Sequence, residues 1–374
     1  MQYLIVAIIP IAITLAIIFF IKHRLAKAKD NGDLQAELQK EADKLFKHDL
    51  ARDLAIVAIK DGKIIEHYRS KDCAEPNISA NSIYEIGSIS KVLTSSLLGI
   101  LVSENRLSLD DNLQDLIGER FELAEHIKPI TLRQLASHTS GIPRVPKVML
   151  NKLEVMNNPY STFTINDIGE YLKTAKQYGK PGKFDYSNLG MGLLGHIMEW
   201  QTDTSLDDLM REKIFAPLEM NSTGFAVSED DKSLFVQAHD PKGEPTPHWD
   251  FPILGGAGGI RSTPSDMIKF LMANLKSNGV LSDVFATTHP DPKKDQVGLG
   301  WMGPTIVEKF LSNKNLIWHN GLVGGHASYI SFDKVSQTGV IILSNKAMDL
   351  HVVGSKLSRL TRIHSLKETT HNTV

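Results

Sequence analysis

The order of the sequence signals predicts an α+β fold. Two runs of β-forming residues stand near the N-terminus, residues 98–290 read mostly as helices broken by Gly/Pro-rich loops, and sheet character returns at 327–332 and 338–343. The 374 residues suffice for one large body or for two to three domains. Apolar residues make up 42% and charged residues 22%, as in an ordinary globular protein. The formal net charge of −2 carries neither the basic excess of a nucleic-acid binder nor the acidic excess of a disordered chain, so no nucleic-acid partner is expected. A single cysteine, Cys73, excludes an internal disulfide framework and a Cys-rich zinc site.

Taken in chain order, residues 1–21 carry no charged side chain, and only Gln2, Pro10 and Thr14 interrupt the apolar run. At about 1.5 Å per residue this stretch spans a hydrocarbon core of roughly 30 Å. It predicts a single-pass membrane anchor over 1–21 and a juxtamembrane linker over 22–33. A cleaved signal peptide is the alternative, but the run exceeds an apolar signal region and no Lys or Arg precedes it. Lys22, His23, Arg24, Lys27 and Lys29 follow the span, which by the positive-inside rule places the body in the cytoplasm. Leu34, Leu38, Ala42, Leu45 and Phe46 recur at helical steps and predict an amphipathic helix packed on the body. Asp61-Gly62 between the apolar run 54–60 and the run 63–68 predicts a β-hairpin whose first strand is covered on both faces. Helical pattern begins at Lys91 and runs to about Val102. Loops are expected at 140–143, 178–182 and 255–259, and Ser262-Thr263-Pro264-Ser265-Asp266 marks a helix start. A last helix is expected at 349–362, before a polar tail over 365–374.

Three motifs could carry chemistry. In Gly87-Ser88-Ile89-Ser90-Lys91, a helix starting near Ser88 would put its hydroxyl and the Lys91 amine on one face. A serine hydroxyl becomes a nucleophile when an adjacent base removes its proton, and a partly desolvated lysine can be or tune that base. Alone, the spacing is weak: Ser331 and Lys334 repeat it at a strand end, and a helix cap with a solvated lysine is the plain alternative. In Tyr186-Ser187-Asn188, a nearby ammonium would lower the phenol and make it a usable base, while the Asn amide can donate and accept. The alternative is a loop tyrosine followed by an Asn turn. In Trp318-His319-Asn320-Gly321-Leu322-Val323-Gly324-Gly325, glycines would let a substrate lie close to a strand edge, and a backbone N–H could serve an oxyanion hole. The alternative is a Gly-rich turn with a surface histidine. His138 and His326 are conceivable site neighbours or structural histidines. Gly190-Met191-Gly192-Leu193-Leu194-Gly195 fits a dinucleotide fingerprint but lacks a preceding strand, so it reads as close helix packing. No His-Glu-x-x-His pair and no Gly-x-Ser-x-Gly elbow occurs, so neither a metal site nor an α/β-hydrolase is expected.

In this order and spacing the motifs resemble those of the serine β-lactamase and penicillin-binding-protein superfamily, most closely the class C β-lactamase-like branch of esterases and D-alanyl peptidases. The resemblance covers roughly residues 35–362. It includes Leu135-Ala136-Ser137-His138-Thr139-Ser140-Gly141-Ile142-Pro143, similar to that branch's Leu-Leu-Ser-His-Thr-Ser-Gly-Leu-Pro stretch. Gly258-Gly259 through Ser262-Thr263 and Asp266 resembles a further signature.

The resemblance implies a β-lactamase/transpeptidase-like antiparallel sheet flanked by helices, plus a mainly helical lobe with the site between them. The catalytic domain would run over 34–364, its sheet lobe over 34–97 and 290–362 and its helical lobe over 98–289. Ser88 would be the acylated nucleophile, Lys91 its partner, and Tyr186 the base in acylation and the activator of water afterwards. Asn188 would hold Lys91 and the substrate, and the N–H groups of Ser88 and Leu322 would form the oxyanion hole. One departure stands out: penicillin-recognising members carry Lys-Thr/Ser-Gly where this chain has His319-Asn320-Gly321. Histidine is mostly neutral near pH 7, so it lacks the permanent cation that holds a β-lactam carboxylate. The expected function is therefore a membrane-anchored serine hydrolase cleaving an ester or amide of a small-molecule or peptide substrate, without metal or cofactor. A true class C-type β-lactamase and a non-catalytic membrane-tethered binding protein on the same fold are the alternatives. The resemblance places the catalytic domain outside the cytoplasm, against the basic flank.

Overall fold

The Asp61-Gly62 turn sets the register of the sheet. Both residues take positive φ, 51° and 75°, the conformation of a two-residue hairpin turn. It joins β1 (Asp53–Lys60) to β2 (Lys63–Ser70), with Lys60 opposite Lys63 and Ile59 opposite Ile64. β3 (Tyr84–Glu85) and β4 (Arg261–Ser262) form a separate two-stranded pair. Near the C-terminus lie β5 (Ile317–Leu322), β6 (Ala327–Asp333) and β7 (Thr338–Ser344). The main sheet has the order β2-β1-β7-β6-β5, antiparallel throughout, so the two ends of the chain meet at the β1–β7 pair and β5 is an edge. This computed structural model describes residues 33–146, 158–176, 179–276, 278–294, 296–311 and 313–364. The anchor expected over 1–21, nearly all of the linker and the tail over 365–374 lie outside the described residues. Among the described residues, no helix is long and apolar enough to cross a membrane.

The period-2 alternation of the central strands divides two cores. Leu54, Ile56 and Ala58 of β1, with Val340 and Ile342 of β7, face helices α1 (Leu34–Lys47) and α5 (His351–Ile363). The intervening Ala55, Val57, Ile59, Ile341 and Leu343 face the helical side. There stand α2 (Ser90–Ser103), α3 (Asn188–Thr202) and α4 (Pro264–Leu275). A strand read as apolar throughout is thus covered on both faces. Helix α2 is buried from Ser90 to Leu101, and its small polar residues Thr94 and Ser96 return their hydroxyls to the Ser90 and Val92 carbonyls inside the core. Thr263 caps α4 and Pro264 occupies its first turn, as the 262–266 signal predicts. The stretch 255–259, expected as a loop, contains a one-turn helix, Gly255–Gly258. Gly192 lies inside α3, where a Cβ would stand 2.5 Å from Leu254 Cδ2 and 3.2 Å from Leu254 Cα. The fingerprint-like glycines therefore serve helix packing.

Candidate active site

Ser88 sits in a tight 3-10 turn, Gly87–Ile89, that runs straight into α2. Gly87 has φ 51°, which glycine adopts without strain, and a Cβ there would crowd the Leu322 nitrogen at 3.1 Å and Val323 Cγ1 at 3.3 Å. One turn on, Lys91 is fully buried, with its Nζ 3.1 Å from Ser88 Oγ and donating to the Ala257 carbonyl at 2.6 Å. Burial, with the charge of Arg144 adding to it, holds this amine well below the ordinary lysine range. Burial thus disfavours the ammonium form of Lys91 right beside the Ser88 hydroxyl.

Tyr186 is positioned by the 135–143 stretch. The Ser187 N–H donates to His138 Nδ1 at 3.1 Å, and Ser187 Oγ donates to the Pro143 carbonyl at 2.9 Å. The Asp185 N–H donates to the His138 carbonyl at 2.7 Å and the Gly182 N–H to that of Thr139 at 2.8 Å. The His138 ring lies 4.5 Å from that of Tyr186, tilted by 30°. Lys91 Nζ and Arg144 Cζ stand 4.8 Å and 5.0 Å from the same ring centroid. Ser187 then caps α3 through the Gly190 N–H, which seats Asn188 in the first turn. The phenol is not lowered by a neighbouring ammonium, contrary to the sequence expectation. Burial pushes it above the ordinary tyrosine range, outweighing a hydrogen bond with Ser88 and the Arg144 charge.

Asn188 reaches the site but spends its Nδ2 on the Tyr160 hydroxyl at 3.1 Å, while its Oδ1 is buried without a hydrogen-bond partner among the described residues. The Asn188–Lys91 bond that the resemblance implies is not among these contacts, because Ser88 and Ala257 engage the amine. His319 is buried on β5 with Nδ1 2.7 Å from the Asn320 carbonyl. A carbonyl only accepts, so Nδ1 carries the proton and Nε2, which has no partner among the described residues, presents a lone pair. Burial pushes the imidazole down to about 3, so it is neutral at physiological pH.

Gly321 acts differently from the expectation. A Cβ there would lie 2.1 Å from the Ile86 carbonyl oxygen, 2.4 Å from Ser328 Oγ and 3.0 Å from the Ser88 nitrogen. The missing side chain admits the nucleophile turn against β5, rather than a substrate. Leu322 follows. Trp318 exchanges both backbone hydrogen bonds with Met302 at 2.9 Å, on the side away from β6. Strand amides alternate in direction, so the N–H groups of Asn320 and Leu322 also point out of the sheet edge. The Leu322 nitrogen would stand 3.1 Å from a Cβ on Gly87, beside Ser88. Two amides, from a helix start and a strand edge, thus converge where an oxyanion could sit.

A cavity of about 760 Å³ opens over Ser88, Tyr186 and His319. Phe184, Met302, Ile306, Val307, Trp318 and Leu322 give it mainly apolar walls. Arg144 lines it too, and also a smaller cavity that reaches Ser88 from the Asn188 side. A separate cavity of about 520 Å³ around His196 and Arg261 lies away from the serine. Of the two conceivable neighbours, His138 supports Tyr186, whereas His326 faces Glu85 at 3.1 Å. Ser331, in the second Ser-x-x-Lys, bonds Ser358 within the sheet lobe. Sequence reasoning missed Arg144, Tyr160 and Ala257, which no spacing or motif marks.

The model of the Beta-lactamase family matches residues 42–358. This chain belongs to that family. It is 25% identical over 335 residues to a Pseudomonas fluorescens β-lactamase, covering 78% of this chain and 88% of the relative. Protein flp of Staphylococcus aureus (strain N315) is 25% identical over 342 residues, covering 83% of this chain, which spans 64% of that protein. The crystal structure of a β-lactamase/D-alanine carboxypeptidase from Pseudomonas syringae superposes with a TM-score of 0.73 at 22% identity, covering 88% of this chain and 98% of that one. This likeness shows a β-lactamase/transpeptidase-like α+β fold.

Gly321→Ala is expected to force β5 off the Ser88 turn. Acylation by a serine-reactive phosphonate should slow about a hundredfold, and an unchanged rate would separate the turn from the strand edge. His319 gives a pH test. The unfolded histidine takes up a proton near pH 6.5, whereas the folded one resists until about 3. Its contribution is complete above about pH 6.5 and is lost as pH falls toward 3, by up to about 1.4 kcal/mol per pH unit. Thermal melts of His319→Gln should fall less steeply with acid than wild type; parallel slopes would contradict the buried neutral state.

Proposed function

We propose that this chain is a membrane-anchored serine hydrolase that cleaves an ester or amide through an acyl-Ser88 intermediate, with esterase or D-alanyl peptidase character. The observation that carries the reading is the buried Lys91 amine 3.1 Å from Ser88 Oγ. As Oγ bonds the substrate carbonyl carbon, its proton passes to the Lys91 lone pair and the carbonyl electrons move onto oxygen. The Ser88 and Leu322 amides stabilise that oxyanion. The Tyr186 phenol, held in its protonated form, donates to the leaving group and is resupplied from Lys91. Water then attacks the acyl carbon, giving its proton back along the same route as Ser88 leaves. Asn188 Oδ1 and His319 Nε2, both bare acceptors, orient donor groups of the substrate. The Beta-lactamase family membership supports this chemistry, and the apolar run at 1–21 supports the anchor.

The apolar cavity walls and the neutral His319 favour an uncharged ester over a β-lactam carboxylate. One observation favours the D-alanyl peptidase side of this reading: Arg144 places a guanidinium on the wall of both cavities that reach Ser88.

Intact-mass measurement after phosphonate treatment should show one adduct on wild type and none on Ser88→Ala, which should lose ester hydrolysis by about 10⁴-fold or more. Nitrocefin turnover should stay near the Ser88→Ala background. No adduct on wild type, or an equal adduct on the variant, would sink the reading. Arg144→Gln should raise KM about tenfold for a carboxylate-bearing D-alanyl peptide, the loss of one charge-assisted contact, and leave a neutral ester unaffected. Equal effects on both would remove the peptide reading.

A further inference from the structure

Glu85, His248 and His326 meet outside the serine site. Glu85 is on β3, His248 precedes Trp249, and His326 lies in the turn between β5 and β6. Glu85 Oε2 is 3.1 Å from Nδ1 of His248 and 3.1 Å from Nδ1 of His326. The three potential ligand atoms all lie within 4.8 Å of one another. Glu85 and His326 are buried and His248 is half-buried.

His326 Nδ1 lies between a donor and an acceptor that no single protonation state of the ring serves together. The Glu85 N–H donates to His326 Nδ1 at 3.3 Å, which requires a lone pair on that nitrogen. The contact between the same nitrogen and Glu85 Oε2 requires a proton there instead. A cation set between the three atoms would take the Nδ1 lone pair in place of the long 3.3 Å amide contact and would face the Oε2 charge as well. The carboxylate is also pre-aimed: the Trp249 N–H donates to Oε1 at 2.8 Å, leaving Oε2 for the imidazoles. Phe235 stacks on His248 with ring centroids 3.7 Å apart.

We propose that Glu85, His248 and His326 bind one divalent transition-metal ion of the zinc class, with a further position open to water beside His248. Two imidazoles and a carboxylate suit zinc, whereas calcium and magnesium take oxygen ligands. The two Oε2–Nδ1 separations of 3.1 Å fit one ion at about 2.0–2.1 Å, subtending roughly 100° at it, while the whole set lies within 4.8 Å. His248, the half-buried ligand, supplies the closure that brings the two nitrogens together. Glu85 is 163 residues from His248 and 241 from His326, so the ion would tie the strand leading into Ser88 to the turn that ends β5.

The test uses the full chain in detergent, stripped with a chelator, titrated with Zn²⁺ by calorimetry and with Co²⁺ by visible absorption. Wild type should take up one ion per chain, show the intense bands of four- or five-coordinate Co²⁺, and melt at higher temperature with Zn²⁺. His248→Ala, at a half-exposed ring, and Glu85→Gln should each bind about ten- to hundredfold more weakly, with circular dichroism reporting the fold. Equal Zn²⁺ affinity in wild type and the folded His248→Ala variant means adventitious binding and overturns the proposal. So does a Co²⁺ spectrum that stays that of the hydrated ion.

Discussion

The chemistry of this molecule depends on one close approach: the Ser88 turn seats directly on the edge strand β5, with no side chain between them. Glycine is needed on both sides. A Cβ on Gly87 would meet the Leu322 nitrogen at 3.1 Å, and one on Gly321 would run into the Ile86 carbonyl. The contact does three things together. It brings the two amides of the oxyanion hole side by side, it anchors the start of α2, and it fixes Lys91 one turn further along that helix. The sheet supplies the rigidity, because β5 is backed by β6 and β7, whose side chains are buried along their whole length.

Desolvation decides the electrostatics. Lys91, Tyr186 and His319 are all pushed toward their uncharged forms, largely by burial. Burial thus disfavours charge at all three, and the Arg144 guanidinium stands at the wall of the site. Burial also gives physical content to the histidine in the third motif: His319 contributes shape and a lone pair, and the cation lies elsewhere.

Much of the fold was legible because the signals were local. The Asp61-Gly62 hairpin, the α1 stripe, the α4 cap and the late strand pair each rest on a few neighbouring residues. The pairing of β1 with β7 was not legible, since nothing local tells a strand near residue 55 that its partner lies near residue 342. The same limit applies to the site. Ser88 and Lys91 could be matched by helical spacing, and Tyr186, Asn188 and His319 by motif order. Arg144 follows Pro143 without any spacing signal, and the purpose of the 135–143 stretch, a cradle of backbone bonds around Tyr186, exists only in three dimensions. The direction of the Tyr186 shift was misjudged because a sequence names a neighbouring lysine but not its loss of water. The Glu85, His248 and His326 cluster has no sequence period at all.

The Met302–Trp318 bridge has a consequence for the company this protein keeps. A sheet edge is a template on which a foreign strand can grow. By pairing with Trp318, Met302 closes the outer row of β5 at one end, and the Ser88 turn closes it at the other. What remains is a gap of about two residues around Asn320, long enough for the extended backbone of a small ligand and too short to nucleate a β-ladder. The device that leaves the edge usable also keeps it from becoming a seed for self-association.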